Sequence, residues 1–140
     1  MRVAIVGATG AVGTIMRRLA RERFADAELV AFASERSAGR ELEDGMVVQP
    51  LAEDGVGGFD LALLSAGATI SREWAPRFAA GGALCVDNSS AFRMDPEVPL
   101  VVSEVNPRRS TTPRAASSPT RTAPRWSRCC RRRRCTTSTA

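Results

Sequence analysis

Short apolar runs alternate with helical stretches along the first hundred residues. Residues 2–6 form a short run, apolar and partly β-branched after Arg2, that leads directly into glycine, which predicts a buried strand ending in a tight turn. Similar runs predict strands at 29–33, 60–64, 84–87 and 100–102. Because strands and helices alternate, the pattern predicts an α/β fold with a mostly parallel sheet and helices on both faces.

Two stretches between these strands have helical character. After the first glycines, apolar residues recur at i, i+3, i+4 and i+7, namely Val12, Ile15, Met16 and Leu19. This predicts an amphipathic helix whose apolar side packs inward while Arg17 and its charged neighbours face away. Residues 71–80 also favour a helix, which Pro76 is predicted to interrupt. Short alternating pieces between residues 39 and 58 predict a small hairpin.

The net charge of +5 is the sum of two unlike segments. All positive side chains are Arg, and residues 1–106 hold ten of them together with every acid and every glycine. Residues 107–140 hold the other ten Arg, no acid and no apolar periodicity. We therefore predict one folded domain at 1–106 and a basic, disordered low-complexity tail at 107–140.

Several classes of protein are disfavoured by what the sequence lacks. There is no run of about 18 apolar residues that would cross a membrane, and Met1 leads into a strand rather than a secretory leader, so a cytoplasmic protein is predicted. Without His or paired Cys-x-x-Cys spacing, no metal site is predicted. Cys85 lies in an apolar run, which favours a small buried hydrophobe over a nucleophile.

The glycine-rich turn after the first strand is the clearest candidate for chemistry. Glycines there let the backbone approach a pyrophosphate, while N–H groups and the positive helix end hold its charge. The candidate cofactor contacts are Gly7, Thr9, Gly10, Ala11, Val12 and Gly13. The spacing is Gly-x-x-Gly-x-x-Gly rather than the commoner G-x-G-x-x-G, and a turn that serves packing alone is the alternative.

Residues after the second strand bear on which dinucleotide would bind. An acid there accepts the ribose 2′-hydroxyl of NAD, whereas Arg36 with Ser37 suits a 2′-phosphate, which favours NADP over NAD. Glu35 weakens that preference by its charge. In the alternative reading, this is a solvated turn in which Arg36 pairs with Glu35 or Glu41.

Small residues and hydroxyls also follow two later strands, where such folds place ligands. Ser65, Ala66 and Gly67 follow one strand and Asn88–Ser90 another. Either set could simply form a turn. Arg93 could hold an anionic substrate, or could be a surface arginine paired with Asp95 or Glu97.

Five pieces in order, GATGAVG, SERSAG, LSAG, VDNSSAFR and VVSEVN, together resemble the amino-terminal half of aspartate-semialdehyde dehydrogenase. The related N-acetyl-glutamyl-phosphate reductase shares this architecture, and SERSAG and VDNSSAFR are more similar to the former. The resemblance covers residues 1–106 and implies a Rossmann-like, doubly wound domain that is incomplete without its second half.

The resemblance also implies roles for individual residues. The turn from Thr9 to Val12 would bind the pyrophosphate, Arg36 and Ser37 the 2′-phosphate, and Arg93 the substrate phosphate, while residues 65–67 would line the cofactor. In that family a cysteine attacks aspartyl phosphate, and hydride from NADPH then gives the semialdehyde used for lysine, threonine and methionine synthesis. A homodimer is implied for the intact enzyme.

The tail departs from the family, whose catalytic cysteine in Asn-Pro-Asn-Cys-Thr and later histidine are both absent. Codons for Ala-Asn-Pro-Asn-Cys-Thr-Thr-Met, read one base out of phase, translate as Pro-Thr-Arg-Thr-Ala-Pro-Arg-Trp, the residues at 119–126. We hypothesise a shifted reading frame that begins between residues 106 and 114, which the downstream nucleotides of the gene would test. The chain is predicted to be inactive.

Two alternatives belong to other functional classes. The Arg-rich tail could be a nucleic-acid-binding arm on a dinucleotide-sensing domain, with strongly salt-dependent binding. The shifted frame explains the tail without such a role, so a nucleic-acid partner is not expected. A stand-alone cofactor-binding regulator is also conceivable, but about 106 residues of a sheet made to pack against a second domain would leave apolar surface uncovered.

Overall fold

The structure, a computed structural model, describes residues 1–101 and 105 together with the backbone of 126–129. Seven strands and two α-helices occur in this part of the chain. In chain order they are β1 (Arg2–Val6), α1 (Ala11–Arg23), β2 (Glu28–Ala33), β3 (Val48–Pro50), β4 (Leu61–Leu64), α2 (Ala68–Ala80), β5 (Leu84–Asp87), β6 (Leu100–Val101) and β7 (Trp126–Cys129). Two short 3-10 turns, Glu35–Ser37 and Glu53–Gly55, precede β3 and β4.

The strands form one sheet in the order β3-β2-β1-β4-β5-β7-β6, and all its paired strands run parallel. Helix α1 connects β1 to β2, and α2 connects β4 to β5. From β1 the chain adds β2 and then β3 on one side of the sheet, and after β3 it adds β4 and then β5 on the other side of β1. This confirms the predicted Rossmann-like, doubly wound α/β fold.

Side chains of β1 alternate between two apolar clusters on opposite faces of the sheet. Val3 and Ile5 belong to the cluster that includes Ala20 of α1, and Ala4 and Val6 belong to the cluster that includes Phe78 of α2. This second cluster contains three aromatic rings in edge-to-face contact, with centroids 5.7 to 5.9 Å apart, from Phe32, Phe59 and Phe78. A strand with both faces buried has to be apolar, as β1 is from Val3 to Val6.

Helix α1 is rotated relative to the sequence prediction. Its buried residues are Gly13, Arg17 and Ala20, whereas Val12, Ile15 and Leu19 are 42 to 50% exposed. The prediction was therefore wrong for these three apolar residues and for Arg17, whereas Met16 is partly buried and packs against the cluster of Val3 and Ile5 as predicted. The physical reason is the short distance between α1 and the turn after β1. Small residues have to lie on the side of the helix that faces this turn, so hydrophobicity alone does not determine which side of α1 is buried.

Pro76 does not interrupt α2, contrary to the sequence prediction, and the helix runs from Ala68 to Ala80. Proline removes the N–H that would bond the carbonyl four residues earlier, at Arg72. Both Pro76 and Arg72 are on the exposed side of the helix, where water can bond that carbonyl. The buried side of α2, with Trp74, Ala75 and Phe78, keeps its helical bonds.

The hairpin predicted between residues 39 and 58 is present in its first half. Glu41 pairs antiparallel with Val47, and the Leu42 N–H donates to the Met46 carbonyl at 2.8 Å. The chain then enters β3, which pairs parallel with β2. The hairpin is thus a small excursion between the end of β2 and the edge of the sheet, and we call residues 39–48 the hairpin below.

Four residues of the predicted tail are described, and their backbone is strand β7, which pairs with β5 and β6. For these residues the structure differs from the expected absence of regular structure. The proposed boundary at residue 106 stays a prediction, as do the shifted frame and the nucleic-acid arm, which fall largely outside the described residues. Within the described part of the chain, no helix is both long and apolar enough to cross a membrane.

Candidate active site at the switch point of the sheet

Two turns meet at the edge of the sheet where the winding direction reverses, between β1 and β4. The Ser65 N–H donates to the Val6 carbonyl at 2.9 Å, which joins the two strand ends. Gly7 has a φ of +85°, and a Cβ at this position would be 2.6 Å from the Ser65 carbonyl oxygen. Open parallel sheets bind ligands in the crevice at this switch point. The structure therefore brings the predicted Gly7–Gly13 turn and residues 65–67 together there.

The start of α1 is open toward this crevice. Gly10 is the N-cap and has no side chain to bond the first helical N–H groups, and the first turn contains no acid. In the described part of the chain, the N–H groups of Ala11, Val12 and Gly13 have no hydrogen-bond partner. A Cβ on Gly10 would meet only the Gly7 carbonyl oxygen, at 3.5 Å. Free N–H groups and the helix dipole at an unobstructed end suit an anionic group such as a pyrophosphate.

Gly13 serves the packing that makes this arrangement possible. A Cβ there would be 2.1 Å from the Gly7 carbonyl oxygen and 2.8 Å from Cα of Ala8. The outer glycines of the turn, Gly7 and Gly13, therefore permit close approach of backbone, and Gly10 leaves space on the ligand side. The structure thus shows a packing role for Gly7 and Gly13, and the binding role of the turn stays a prediction.

Arg36 and Ser37 lie in the 3-10 turn Glu35–Ser37 that follows β2. Arg36 is exposed, and its guanidinium forms no ion pair with Glu35, Glu41 or another acid in the part of the chain that the structure describes. The solvated-turn alternative with a paired Arg36 is therefore not what is observed. The arginine is accessible to a ligand phosphate at the carboxyl end of β2.

Residues 65–67 form the turn between β4 and α2. Gly67 is the N-cap of α2 with a φ of +90°, and no side chain caps this helix either. Ser65 and Ala66 are partly exposed. These residues face the same edge of the sheet as the start of α1, which is where the resemblance placed cofactor-lining residues.

A buried carboxylate orders the loop after β5, and sequence reasoning did not identify it. Asp87 is 3% exposed and accepts hydrogen bonds from the Ser71 hydroxyl at 3.0 Å and from the N–H and hydroxyl of Ser89, each at 2.8 Å. The Ser89 hydroxyl in turn accepts the Ala91 N–H at 3.0 Å. The sequence signal was an Asp that ends a strand two residues before a Ser, which is typical of a side-chain-bonded turn.

Arg93 and Asn88 lie in this loop and are both exposed. Within the described residues, Arg93 forms no ion pair, so the alternative in which it pairs with Asp95 or Glu97 is not observed. Asp95 instead accepts the Glu97 N–H at 2.9 Å. The role of Arg93 in substrate binding stays a prediction, but its side chain is accessible for it.

Cys85 is buried at 1% exposure, and its thiol lies 3.4 Å from the Ala75 carbonyl oxygen. Burial, with a smaller contribution from the charge of Asp87, raises its pKa from 9.0 to about 12. A thiol with this pKa is protonated at neutral pH and is a poor nucleophile. The cysteine therefore acts as a small core residue, as the sequence indicated.

Taken together, the winding of the sheet, the bare turn after β1 and the uncapped start of α1 define a dinucleotide-binding domain. Comparison with known proteins specifies it further. The family described as "Semialdehyde dehydrogenase, NAD binding domain" matches residues 2–112. The chain belongs to this family.

Curated relatives agree with the resemblance found in the sequence. The chain is similar to aspartate-semialdehyde dehydrogenase of Streptomyces akiyoshiensis, with 57% identity over 108 residues, which cover 76% of this chain and 32% of the relative. For the Aquifex aeolicus enzyme the identity is 53% over 111 residues, covering 76% and 33%. The chain thus spans about a third of the length of these relatives. The resemblance to the amino-terminal part of aspartate-semialdehyde dehydrogenase is confirmed.

Solved structures support the same conclusion. A crystal structure of aspartate semialdehyde dehydrogenase II from Vibrio cholerae, complexed with ASA, matches with a TM-score of 0.76 and 38% identity. The match covers 91% of this chain and 40% of that one. The fold described above is therefore shared with a part of that enzyme.

Proposed function

We propose that this chain is the NADP-binding part of an aspartate-semialdehyde dehydrogenase. The observation that carries the proposal is the bare turn of Gly7–Gly13 beside Ser65 at the switch point, where three N–H groups at the start of α1 have no partner among the described residues. The pyrophosphate would lie on that turn, and residues 65–67 would line the dinucleotide. The bound cofactor would supply or accept a hydride.

NADP is proposed over NAD because of the residues after β2. The last residue of the strand, Ala33, is not an acid, and the exposed guanidinium of Arg36 follows three residues later. An arginine fork complements a phosphate. Glu35 is exposed in the same turn, so its carboxylate can remain in solvent.

Arg36→Ala is expected to weaken NADP binding by at least about tenfold and to leave NAD binding within about twofold, since one charge-assisted phosphate contact contributes about 1.5 to 3 kcal/mol. Titration calorimetry of the full chain with each nucleotide measures this. Arg23→Ala removes an exposed arginine at the far end of α1 and is the matched control. Equal weakening of NAD and NADP by Arg36→Ala would exclude the 2′-phosphate role.

The reaction of the whole enzyme is proposed from the relatives, which are named aspartate-semialdehyde dehydrogenase. Its substrate would be aspartyl phosphate, with Arg93 as the residue that binds the phosphate. The relatives' names favour this assignment over N-acetyl-glutamyl-phosphate reductase. The homodimer, the amino-acid pathways and a cytoplasmic location stay predictions.

The chain of 140 residues is expected to bind the cofactor without catalysing the reaction. It contains no histidine and none of its four cysteines lies in an Asn-Pro-Asn-Cys-Thr motif, so neither the base nor the nucleophile of the family is expected here. Phosphate-dependent formation of NADPH from NADP and aspartate semialdehyde measures this, with an intact relative as the positive control. Turnover that scales with the concentration of the purified chain would contradict it.

A further inference from the structure

Arg17 is a buried charge that the proposed function does not yet use. Its guanidinium is on the sheet-facing side of α1, between Gly13 and Ala20, and the residue is 5% exposed. Among the described residues, Arg17 and Asp87 are the buried residues that carry charge. Because a buried charge is costly unless it is well paired, the partners of Arg17 indicate what it is for.

The guanidinium contacts two separate segments of the chain. Its Nε donates to the Ala8 carbonyl at 3.1 Å, and its Nη1 lies 2.5 Å from Oδ1 of Asp44. The second contact is an ion pair whose alignment is outside hydrogen-bond geometry. Arg21, one helical turn on, donates to the Asp44 backbone carbonyl at 2.7 Å. One side of α1 therefore holds both the turn after β1 and a residue of the hairpin.

The first segment, the turn after β1, is proposed to bind the pyrophosphate of the cofactor. The second segment, the hairpin, adjoins the turn that is proposed to bind the 2′-phosphate of its adenosine. Ala8 belongs to the proposed pyrophosphate turn. Asp44 belongs to the hairpin, which continues directly from the proposed 2′-phosphate residues, and the Arg40 N–H donates back to the Ser37 carbonyl at 3.2 Å. Arg17 thus connects the backbone of one phosphate site to the segment that supports the other.

We propose that Arg17 is a positioning residue that fixes the pyrophosphate turn relative to the 2′-phosphate turn, with Asp44 as its partner. This inference rests on the proposed NADP binding. Because the guanidinium is buried, it acts through Ala8 and Asp44 rather than on the nucleotide. A ligand that reaches both turns therefore depends on Arg17, and a ligand that needs only the 2′-phosphate turn does not.

Two ligands separate these cases in titrations of the full chain. NADP carries both the pyrophosphate and the 2′-phosphate, whereas adenosine 2′-monophosphate carries the 2′-phosphate alone. For Arg17→Met we expect the affinity for NADP to fall about tenfold, because the variant loses the hydrogen bond of a charged donor to the pyrophosphate turn. The affinity for adenosine 2′-monophosphate should change less than about twofold, because this ligand does not need that turn. Arg18→Met removes an exposed arginine from the same helical turn and should leave both affinities unchanged.

Equal weakening of both ligands by Arg17→Met, or no weakening of NADP, would overturn the positioning role. Wild-type chain that fails to bind NADP would instead overturn the proposed function and this inference together. If Arg17→Met does not fold by circular dichroism, Asp44→Asn carries the test and should show the same selective loss of NADP affinity. If Arg17→Met folds, adding Asp44→Asn should weaken NADP less than Asp44→Asn does alone, because the ion pair with Arg17 is already lost and only the longer contact of the Asp44 carboxylate with Arg21, at 3.8 Å, remains to be changed.

Discussion

Gly13→Ala is expected to lower the free energy of unfolding by at least about 3 kcal/mol, because overpacking against fixed backbone is among the costlier core changes. The added Cβ would lie 2.1 Å from the Gly7 carbonyl oxygen, and the next nearest atoms are also backbone. Relief requires that α1 move away from the sheet, which would also separate Arg17 from Ala8. Urea denaturation followed by circular dichroism measures the loss, and NADP binding should disappear with it.

Gly10→Ala is the matched control, since it places the same methyl group three residues earlier in the same turn. Its Cβ would meet one atom within 4 Å, at 3.5 Å, and its φ of −79° is open to any residue. Stability should therefore change by less than about 1 kcal/mol, the size of an ordinary N-cap substitution. NADP affinity should nonetheless fall, because the methyl group would occupy the open side of the turn. If Gly13→Ala proves as stable as Gly10→Ala, the close packing of α1 described here is incorrect.

Asp87→Ala is expected to cost about 3 kcal/mol, because hydrogen bonds to a charged acceptor contribute about 1.5 to 3 kcal/mol each and their buried donors would be left without partners. The donors are the Ser71 hydroxyl, which is fully buried, and the N–H and hydroxyl of Ser89. The loop that carries Arg93 should then lose its fixed shape. Denaturant unfolding and amide hydrogen exchange at residues 88–91 would report the two effects.

Asp95→Ala provides a control of the same chemistry in an exposed position. Asp95 also accepts an N–H from two residues ahead, that of Glu97 at 2.9 Å, but it lies in solvent. Its removal should change stability by about 0.5 kcal/mol or less, as for most surface substitutions. Similar losses for the two variants would show that burial of Asp87 does not matter and that its network is a local turn.

Much of the fold could be predicted from the sequence, because the buried strands of a parallel sheet are apolar throughout and glycine marks the turn that follows the first of them. The position of the Gly7–Gly13 turn follows from local pattern in this way. The exposure of Gly10 and Arg36 is harder to predict from the sequence, because it depends on which residues from elsewhere in the chain pack next to them.

The orientation of α1 could not be predicted from its periodicity. Apolar periodicity shows which residues prefer burial, whereas the side of α1 that packs is set by how close the backbone of the turn lies, which selects Gly13 and Ala20. Arg17 is buried between them because its partner Asp44 comes from the hairpin, 27 positions along the chain. Contacts at that separation have no signature in a local window of sequence.

The bond from Ser65 to Val6 and the contact of Gly7 with Ser65 tie the two turns at the switch point to one another before any ligand arrives. The two turns are therefore expected to move together rather than independently of one another. A nucleotide would meet a surface already in its final shape, so its association rate should be limited by diffusion and orientation rather than by rearrangement of the chain.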